Sequence, residues 1–491
     1  MNTAKHYQQA MLMADFYKLS HREQYPEGTE VVYSTWTPRA SRLDGVDSVV
    51  VFGAQGFVEE YLVSFFYEHF FSRAIGEIVA DYKRIIRNTL GIQNPATKHI
   101  EDLHALGYLP LEVKSLPEGS VAPLRVPTLT IRNTDRRFFW LTNYLETLMS
   151  LTLWKPSTSA TIANQYRILL EAYAMKTVGN TEFVPFQGHD FSMRGMDSVE
   201  SAARSGAGHL LSFAGTDTVP AICYLEQHYG ADVEKELVGT SIPATEHSVM
   251  CAYGDDRASF KRLITELYPS GFISIVSDTW DLWEVLTEIL PALKNEVLAR
   301  DGKVVIRPDS GDPVKIICGD PDATDPAVRK GVVELLWDIF GGTVSEQGYK
   351  VLDSHIGCIY GDSISLQRCE AICAGLERKG FASVNMVYGI GSYTYQYNTR
   401  DTFGYALKST LCVINGEEKH IFKDPKTDDG TKRSQKGRVR VINDVPIRYE
   451  DELSLSDTQP DMLQTIFING DTKNKQTLAE IRARLRSYDR G

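Results

Sequence analysis

The sequence has no long apolar run, which argues against a membrane or secreted protein. No stretch approaches the roughly 20 apolar residues that span a bilayer. The first twenty residues contain no apolar segment of the signal-peptide kind. Hydrophobic residues make up 43% of the chain and charged residues 24%, the balance of a soluble globular protein. We therefore expect a cytoplasmic protein without a membrane partner.

The sequence contains few cysteines and has no excess of basic over acidic residues. The seven Cys residues include no CxxC pair and no metal-binding Cys/His spacing, so we expect free thiols. Cys369 and Cys373 share a helical face, which we interpret as two small buried residues. The net charge of −12 argues against a nucleic-acid partner. A small anionic ligand remains possible because it needs only a few local cations.

Two nucleotide-binding signatures are also absent. Neither a Walker A sequence nor a GxGxxG fingerprint occurs, which argues against a P-loop kinase and a Rossmann dehydrogenase. The short Gly389-Ile390-Gly391-Ser392 stretch can cradle a phosphate, but glycines at strand ends are common and indicate little alone.

What the sequence contains, from about Lys155 onward, is repeated alternation of apolar strand, polar turn and helix. Seven segments show it, at residues 183–186, 209–213, 241–245, 272–276, 303–306, 356–360 and 384–388. Such alternation predicts parallel strands with helical crossovers. Seven or eight units favour an irregular (β/α) barrel over an open sheet.

The two ends of the chain mix short strands and helices instead. We predict an α/β protein whose mixed α+β domain is built from both chain ends. Residues 1–150 form its first part, residues 151–394 form the α/β barrel, and residues 395–491 form its second part and a tail.

The predicted strand ends carry the polar chemistry. They supply carboxylates, histidines and arginines to one barrel face: Asp190, Asp217, Asp278, Asp309, Asp362, His189, His247, Arg194 and Arg307. Carboxylates accept hydrogen bonds from sugar hydroxyls, whereas arginines and exposed backbone amides hold phosphate. The pattern indicates a ligand with both hydroxyl and anionic groups, although a solvated βα turn is the alternative at each site.

Two residues have competing interpretations. His247 follows Glu246 among several carboxylates that can orient and polarise its ring, so a catalytic role competes with a structural one. Phe191 is an aromatic side chain among polar neighbours, where stacking on a ligand competes with core packing.

Several motifs in one order resemble the nicotinamide phosphoribosyltransferase family of type II phosphoribosyltransferases. They are Asp15-Phe16-Tyr17-Lys18, Gly188-His189-Asp190-Phe191, Gly215-Thr216-Asp217-Thr218, Thr245-Glu246-His247-Ser248, Val276-Ser277-Asp278, Arg307-Pro308-Asp309-Ser310-Gly311, Gly361-Asp362, Phe422-Lys423-Asp424-Pro425 and Lys432-Arg433-Ser434. The resemblance implies an irregular barrel that joins nicotinamide to 5-phosphoribosyl pyrophosphate. It further implies a homodimer with shared active sites, Mg2+ held mainly by the pyrophosphate, and ATP as a co-substrate.

The resemblance also implies individual roles. Phe191 stacks on the pyridine with Tyr17 of the partner subunit, and Asp217 accepts from the carboxamide. The remaining expected substrate contacts are Arg194, Arg307, Asp309, Gly361, Asp362, Gly391 and Ser392, with Asp15, Arg39, Arg400 and Lys408 approaching from the partner. His247 takes a phosphoryl group from ATP, supported by Asp278 and Glu246.

Some residues depart from the family pattern. Ser392 and Tyr393 stand where the family's glycine run is commonly longer, and Ser192-Met193 replaces the more usual Gly-Tyr after Phe191. Two alternatives stay open: a nicotinate phosphoribosyltransferase, and an inactive binding protein on the same fold.

Overall fold

The structure, a computed structural model, describes residues 9–423, 426–427 and 433–488. The chain divides into two compact units. Unit 1 comprises residues 1–161, 225–231 and 398–491, and unit 2 comprises residues 162–224 and 232–397. The sequence placed the boundaries at 150/151 and 394/395, and it did not indicate that a short segment inside the barrel region joins unit 1.

Unit 2 is built on a parallel sheet of six short strands. These are β1 (Gly188–Asp190), β2 (Gly215–Thr216), β3 (Ile273–Val276), β4 (Val304–Arg307), β5 (Ile356–Tyr360) and β6 (Met386–Ile390). Their order across the sheet is β2-β1-β6-β5-β4-β3. Thr240 bridges to Gly215 and Ala244 bridges to Ser274, so residues 240–244 join the two edge strands. The sheet therefore curls into an irregular barrel, and the predicted fold class is confirmed.

Three of the seven predicted strands are wrong, and one of them, residues 241–245, forms only an isolated bridge at Ala244. Residues 183–186 lie in the 3-10 turn Val184–Phe186, and residues 209–213 lie at and beyond the end of the helix Val199–His209. The actual strands β1 and β2 follow a few residues later and have only three and two residues. Strands this short show no alternation of apolar and polar residues, so the neighbouring apolar runs were mistaken for them.

Helices and turns connect the barrel strands. The helices between residues 184 and 395 are Val199–His209, Val219–Tyr229, His247–Tyr253, Asp256–Arg262, Leu282–Glu284, Leu290–Ala292, Lys294–Leu298, Pro313–Cys318, Pro326–Lys330, Val332–Phe340, Leu366–Arg378 and Ser392–Tyr395, with π-helical turns at Leu263–Leu267 and Val285–Ile289. Two further 3-10 turns lie at Met193–Gly195 and Ser383–Asn385, and a hairpin pairs Gly342–Val344 with Lys350–Leu352.

Unit 1 is built on an antiparallel sheet of seven strands. Their order is Glu417–His420, Ala406–Ile414, Thr29–Thr37, Leu129–Asn133, Leu111–Ser115, Gln464–Ile468 and Asp471–Thr472. The three central strands come from the first part of the chain and are flanked on each side by two strands from the last part, as predicted for a mixed domain. A single large core of apolar residues from both ends packs against the sheet.

The other elements of unit 1 surround this sheet. Two strand pairs join Ser48–Val50 to Val121–Pro123 and Arg438–Ile442 to Arg448–Leu453. The helices are Lys18–Gln24, the α and π segments of 54–71, Ile75–Leu90, Lys98–Leu106, Leu141–Tyr144 and Leu478–Tyr488, with 3-10 turns at Ala10–Leu12, Arg136–Phe138 and Arg400–Thr402. The long helix Glu146–Val178 begins in unit 1 and ends in unit 2.

The thiols bear out one sequence-based expectation. All seven cysteines are free, and Cys369 and Cys373 are buried on the helix Leu366–Arg378. Among the residues that the structure describes, no helix has the length and apolar character needed to cross a bilayer.

We expect unit 1 to lose stability in acid because of His99. Its ring packs edge-on against Trp140 at 5.0 Å, and burial lowers the pKa of His99 from 6.5 to about 4. The unfolded chain takes up this proton below pH 6.5 and the folded chain only near pH 4. Stability is therefore complete above pH 6.5 and falls toward pH 4, by at most roughly 3 kcal/mol. Urea unfolding of wild type and His99→Phe at pH 7 and 4.5 tests this expectation. Between the two pH values the free energy of unfolding should fall less in the variant than in wild type. An identical fall in both proteins would contradict the expectation.

Candidate active site

The barrel topology gathers most of the predicted site residues at one end. Parallel strands end on the same side of a barrel, and the loops that follow them form one face. Phe191 follows β1, Asp217 follows β2 and Asp278 follows β3. Arg307 is the last residue of β4, and Asp309 lies two residues beyond it. Gly361 and Asp362 follow β5, and Gly391 and Ser392 follow β6. Glu246 and His247 follow the joining segment 240–244.

His247 stands at the start of the helix His247–Tyr253, between two carboxylates. Its Nε2 lies 3.9 Å from Oδ1 of Asp278 and 3.9 Å from Oδ2 of Asp309. Its Nδ1 is 3.2 Å from the Thr279 hydroxyl, and the side chain is 49% exposed. The predicted supporting residue Glu246 is the N-cap of this helix, and its carboxylate accepts a hydrogen bond from Ser248. The ring is thus both oriented and accessible.

Asp278 organises the loop that follows β4. Its Oδ2 accepts hydrogen bonds from the Asp309 amide (2.8 Å), the Ser310 amide (2.7 Å) and the Ser310 hydroxyl (2.5 Å). Its Oδ1 is buried and has no hydrogen-bond partner among the described residues, although Nε2 of His247 lies nearby. One carboxylate therefore both fixes the Asp309 loop and keeps an acceptor directed toward the histidine.

Asp217 is held by two side chains that leave part of its carboxylate available. Nε2 of His189 donates to Oδ1 of Asp217 at 2.8 Å, and the Ser241 hydroxyl donates to the same oxygen at 2.6 Å. Burial acts to raise the pKa of the Asp217 carboxyl, but these two hydrogen bonds outweigh it and leave that pKa lowered. The His189 ring also lies 4.7 Å from the ring of Phe191. An ionised acceptor therefore lies beside an aromatic face.

The two predicted arginines differ in their surroundings. The Arg307 guanidinium donates to the Thr245 carbonyl at 2.5 Å, and its Nε is buried without a hydrogen-bond partner in the described part of the chain. Burial lowers the pKa of Arg307, opposed by the nearby charges of Asp309 and Asp217. Arg194, by contrast, is exposed on the turn Met193–Gly195. Arg307 is thus a partly desolvated cation with an unused donor.

Asp309 lies directly against Gly361. A β-carbon on Gly361 would come within 2.3 Å of Oδ1 of Asp309, so only glycine permits this approach. Burial raises the pKa of the Asp309 carboxyl, and Arg307 opposes that shift. Asp362, the next residue, is exposed on the same loop. The carboxylates that follow β4 and β5 are therefore neighbours.

A cavity of about 540 Å3 opens beside this cluster. Its polar lining includes His189, Asp217, Ser241 and Arg307, and Phe191 forms part of its wall. Asp190, which the sequence placed on the same face, is instead fully buried, where its Oδ1 accepts from the Ser192 amide at 2.9 Å. Successive residues of a strand point to opposite faces, which explains why His189 and Phe191 face the cavity and Asp190 does not.

The sequence-predicted residues of unit 1 lie in two groups. Near the start of the helix Glu146–Val178, Oδ2 of Asp15 accepts from the Thr147 hydroxyl at 2.8 Å. Tyr17 is 57% exposed, with its ring edge-on to His21 at 4.9 Å. The adjacent Lys18 is buried and ion-paired with Glu146, which fastens this segment to the helix.

The second group in unit 1 is cationic. Nε of Arg39 donates to the Gly404 carbonyl at 2.8 Å, and Nζ of Lys408 lies 3.9 Å from Glu146. Burial lowers the pKa of Lys408, opposed by Glu146. Arg400 is exposed, 3.8 Å from Asp401. Lys408 and Asp15 therefore both lie near the start of the helix Glu146–Val178.

Two further observations complete the site. Within the described ranges, no group of three or more His, Cys, Asp or Glu side chains is arranged to hold a metal ion. Asp424, Pro425 and Lys432, which belong to two of the motifs near the chain end, lie outside the described residues.

The fold and the site define a protein of the α/β-barrel class, with carboxylates, histidines and arginines gathered at the strand ends beside a cavity. Residues 186–485 match the nicotinate phosphoribosyltransferase (NAPRTase) family, and residues 9–112 match the N-terminal domain of nicotinamide phosphoribosyltransferase. The chain is 55% identical to a nicotinamide phosphoribosyltransferase of Acinetobacter baylyi over 96% of both chains. It is 37% identical to one of Mycoplasma pneumoniae over 87% of this chain and 94% of that protein.

A solved structure extends the likeness to the fold. The crystal structure of nicotinate-nucleotide pyrophosphorylase from Pyrococcus furiosus matches with a TM-score of 0.60 at 14% identity, covering 99% of this chain and 97% of that one. The chain therefore belongs to the nicotinate phosphoribosyltransferase family and, within it, to the nicotinamide phosphoribosyltransferases.

Proposed function

We propose that this enzyme transfers the 5-phosphoribosyl group of 5-phosphoribosyl pyrophosphate to nicotinamide in NAD salvage. The products are nicotinamide mononucleotide and pyrophosphate. The observation that carries the proposal is the ionised Asp217 beside Phe191 in the cavity that Arg307 also lines. An amide of the ligand can donate to Asp217, an aromatic ring of the ligand can stack on Phe191, and an anionic group can pair with Arg307. The curated relatives with this name support the choice of base.

The reaction needs charge stabilisation more than acid–base catalysis. As pyrophosphate leaves, positive charge builds on the ribose ring and negative charge builds on the departing oxygens. In this proposal Asp309 and Asp362 accept from the ribose hydroxyls, with Gly361 giving Asp309 room. Arg194 and Arg307 face the pyrophosphate region. The pyridine nitrogen needs no activation, so the enzyme mainly orients it.

Magnesium fits this arrangement as a companion of the substrate. We propose that the pyrophosphate oxygens supply most of its ligands, because hard oxygen donors suit Mg2+ and the ion commonly keeps substrate phosphates and water around it. When bound, Mg2+ neutralises part of the charge on the leaving group. Asp309, whose partly exposed carboxylate lies beside Arg307, would supply the protein's contact with the ion in this proposal.

We propose a homodimer whose two active sites are shared. Tyr17 is large, apolar and exposed, and it is fastened in place by its neighbour Lys18. In the dimer, Tyr17 of the partner subunit covers the face of the pyridine opposite Phe191. The partner's Arg39, Arg400 and Lys408, with the partner's Asp15 nearby, approach the phosphate groups, which Gly391 and Ser392 hold from the barrel side.

ATP has a separate role in the proposal. A ring nitrogen of His247 attacks the γ-phosphorus of ATP, the bond to the bridging oxygen breaks, and ADP leaves. Asp278 orients the ring, and Glu246 supports the helix start through Ser248. The phosphohistidine adds negative charge beside Asp309 and alters the affinity for pyrophosphate. Water later hydrolyses the phosphoramidate and returns phosphate.

A turnover assay separates the proposal from its alternatives. The enzyme is incubated with 5-phosphoribosyl pyrophosphate, Mg2+ and either nicotinamide or nicotinate, and the mononucleotide is quantified. Nicotinamide mononucleotide as the main product supports the proposal. Preferential use of nicotinate indicates a nicotinate phosphoribosyltransferase, and no product with either base indicates a binding protein.

Asp217 should set the preference for nicotinamide over nicotinate. A charge-assisted hydrogen bond from the amide is worth roughly 1.5–3 kcal/mol. Nicotinate has no such donor and adds a negative charge, so discrimination on the order of a hundredfold follows. Asp217→Ser should lower kcat/KM for nicotinamide and raise the nicotinate-to-nicotinamide ratio, measured with both bases. Asp232→Ser is the control, because it removes a half-buried carboxylate that is paired with Lys235 away from the cavity lining. Equal proportional losses with both bases would show that Asp217 is structural.

A further inference from the structure

The short helix Ser392–Tyr395 contacts two loops of the site in unit 2 and, through His209, the strand β2. It begins directly after Gly391, at the end of β6. The Thr394 hydroxyl donates to the Ile364 carbonyl at 2.8 Å, which ties the helix to the loop that carries Asp362. Ser392 lies so close to Gly195 that a β-carbon there would meet its hydroxyl oxygen at 2.2 Å. The helix therefore adjoins both the Arg194 turn and the Asp362 loop.

The third contact is a buried chain of hydrogen bonds through His209. The Tyr395 hydroxyl lies 2.7 Å from Nδ1 of His209, and Nε2 of His209 lies 2.9 Å from the Gly215 carbonyl. Both side chains are fully buried. Gly215 begins β2, the strand that leads directly to Asp217. His209 thus spans from the phosphate-side loop to the base-side strand.

The direction of these hydrogen bonds follows from chemistry. A carbonyl oxygen only accepts, so Nε2 of His209 carries a proton. Burial lowers the pKa of His209 to about 4, so the ring is neutral at pH 7 and Nδ1 accepts. Tyr395 must then donate, and burial raises the pKa of its hydroxyl well above 10, which keeps the proton on it. The bridge has one arrangement over the working pH range and is stiff for that reason.

We propose that Tyr395 and His209 are positioning residues that fix the separation between the base and the 5'-phosphate. This rests on the proposed function, in which Asp217 holds the base and the Gly391 loop holds the phosphate. Neither residue touches the substrate in this proposal. Their bridge makes the two ends of the site one rigid frame, and a ligand that spans both ends gains most from it.

Tyr395→Phe tests the proposal because it removes only the hydroxyl. Nicotinamide mononucleotide spans both ends, whereas nicotinamide contacts only the base end. Loss of one buried hydrogen bond should raise the Kd of the mononucleotide about tenfold. The Kd of nicotinamide should change less than about twofold. The kcat should decrease in the same variant that binds the mononucleotide more weakly. Calorimetry and steady-state kinetics measure these values.

The matched control is Tyr388→Phe. Tyr388 is also fully buried, and its hydroxyl contacts the Cys373 thiol at 3.1 Å, away from the loops of the site. It should lower the unfolding temperature without separating the two affinities. If Tyr395→Phe weakens both ligands equally, or neither, the positioning role is wrong. A wild-type enzyme that does not bind the mononucleotide would instead refute the proposed function.

A second variant covers the case in which Tyr395→Phe does not fold. The double variant His209→Phe, Tyr395→Phe removes both side-chain partners and leaves no unpaired nitrogen against the new ring, while the Gly215 carbonyl loses its donor from His209. It should show the same selective loss of mononucleotide affinity. Normal affinity for the mononucleotide in a folded double variant would overturn the proposal.

Discussion

His247→Ala should abolish ATP hydrolysis and acid-labile phosphate labelling. The ring is the nucleophile in the proposed phosphorylation, and it stands 3.9 Å from both Asp278 and Asp309 in an exposed position. Alanine leaves no group that can take the phosphoryl, so the loss should be complete within detection. Synthesis of the mononucleotide should continue at a reduced rate, because Asp217, Phe191 and the ribose-binding residues remain. Incubation with γ-labelled ATP, followed by acid and base stability tests, measures the label.

His355→Ala is the control for this experiment. His355 is also in unit 2 and its Nδ1 lies 2.7 Å from Asp353, on the loop before β5 rather than after the strands. It should keep both labelling and ATP hydrolysis. Unchanged labelling in His247→Ala would move the phosphorylation to another residue.

Mixing two inactive variants should restore activity if the sites are shared. Tyr17→Ala removes a side chain that a subunit contributes to its partner's active site. Asp309→Ala removes a side chain of the subunit's own active site. In a mixed dimer one site receives both defects and the other receives none. Random exchange makes half of the dimers mixed, so roughly one quarter of all sites should be intact. Denaturation of the mixture, joint refolding and a turnover assay measure the recovery.

Tyr17→Ala mixed with Arg39→Ala is the matched control. Both substitutions damage the part given to the partner, so every site in a mixed dimer has one defect and activity should stay absent. No recovery in the Tyr17 and Asp309 mixture, despite proven subunit exchange, would contradict shared sites.

The barrel was predictable where its strands are long and apolar. Val304–Arg307 and Ile356–Tyr360 are rich in apolar, largely β-branched residues, polar residues follow closely, and both strands form within one residue of the predicted bounds. β2 has only Gly215 and Thr216, whose side chains carry no periodic signal. Its pairing is set by the neighbouring strands, which local sequence does not record.

The grouping of the site residues could be predicted from the sequence about as far as the fold could. The carboxylates and arginines after the strands could be placed together because parallel strands end on one side. The hydrogen bond from His189 to Asp217 was missed, because it joins two strands whose register only the fold determines. One signal was present: His189 and Phe191 are two residues apart, so in extended backbone their side chains point to the same side.

The order of strands in unit 1 has a consequence for synthesis on the ribosome. Thr29–Thr37 pairs with Leu129–Asn133 on one side and with Ala406–Ile414 on the other. The second partner emerges some 370 residues after the first strand, a wait of about 20 to 70 seconds at ordinary elongation rates. During that interval one edge of a nine-residue strand is unpaired and available to other nascent chains. Slowed elongation, or a chain truncated before residue 406, should therefore promote aggregation and chaperone binding.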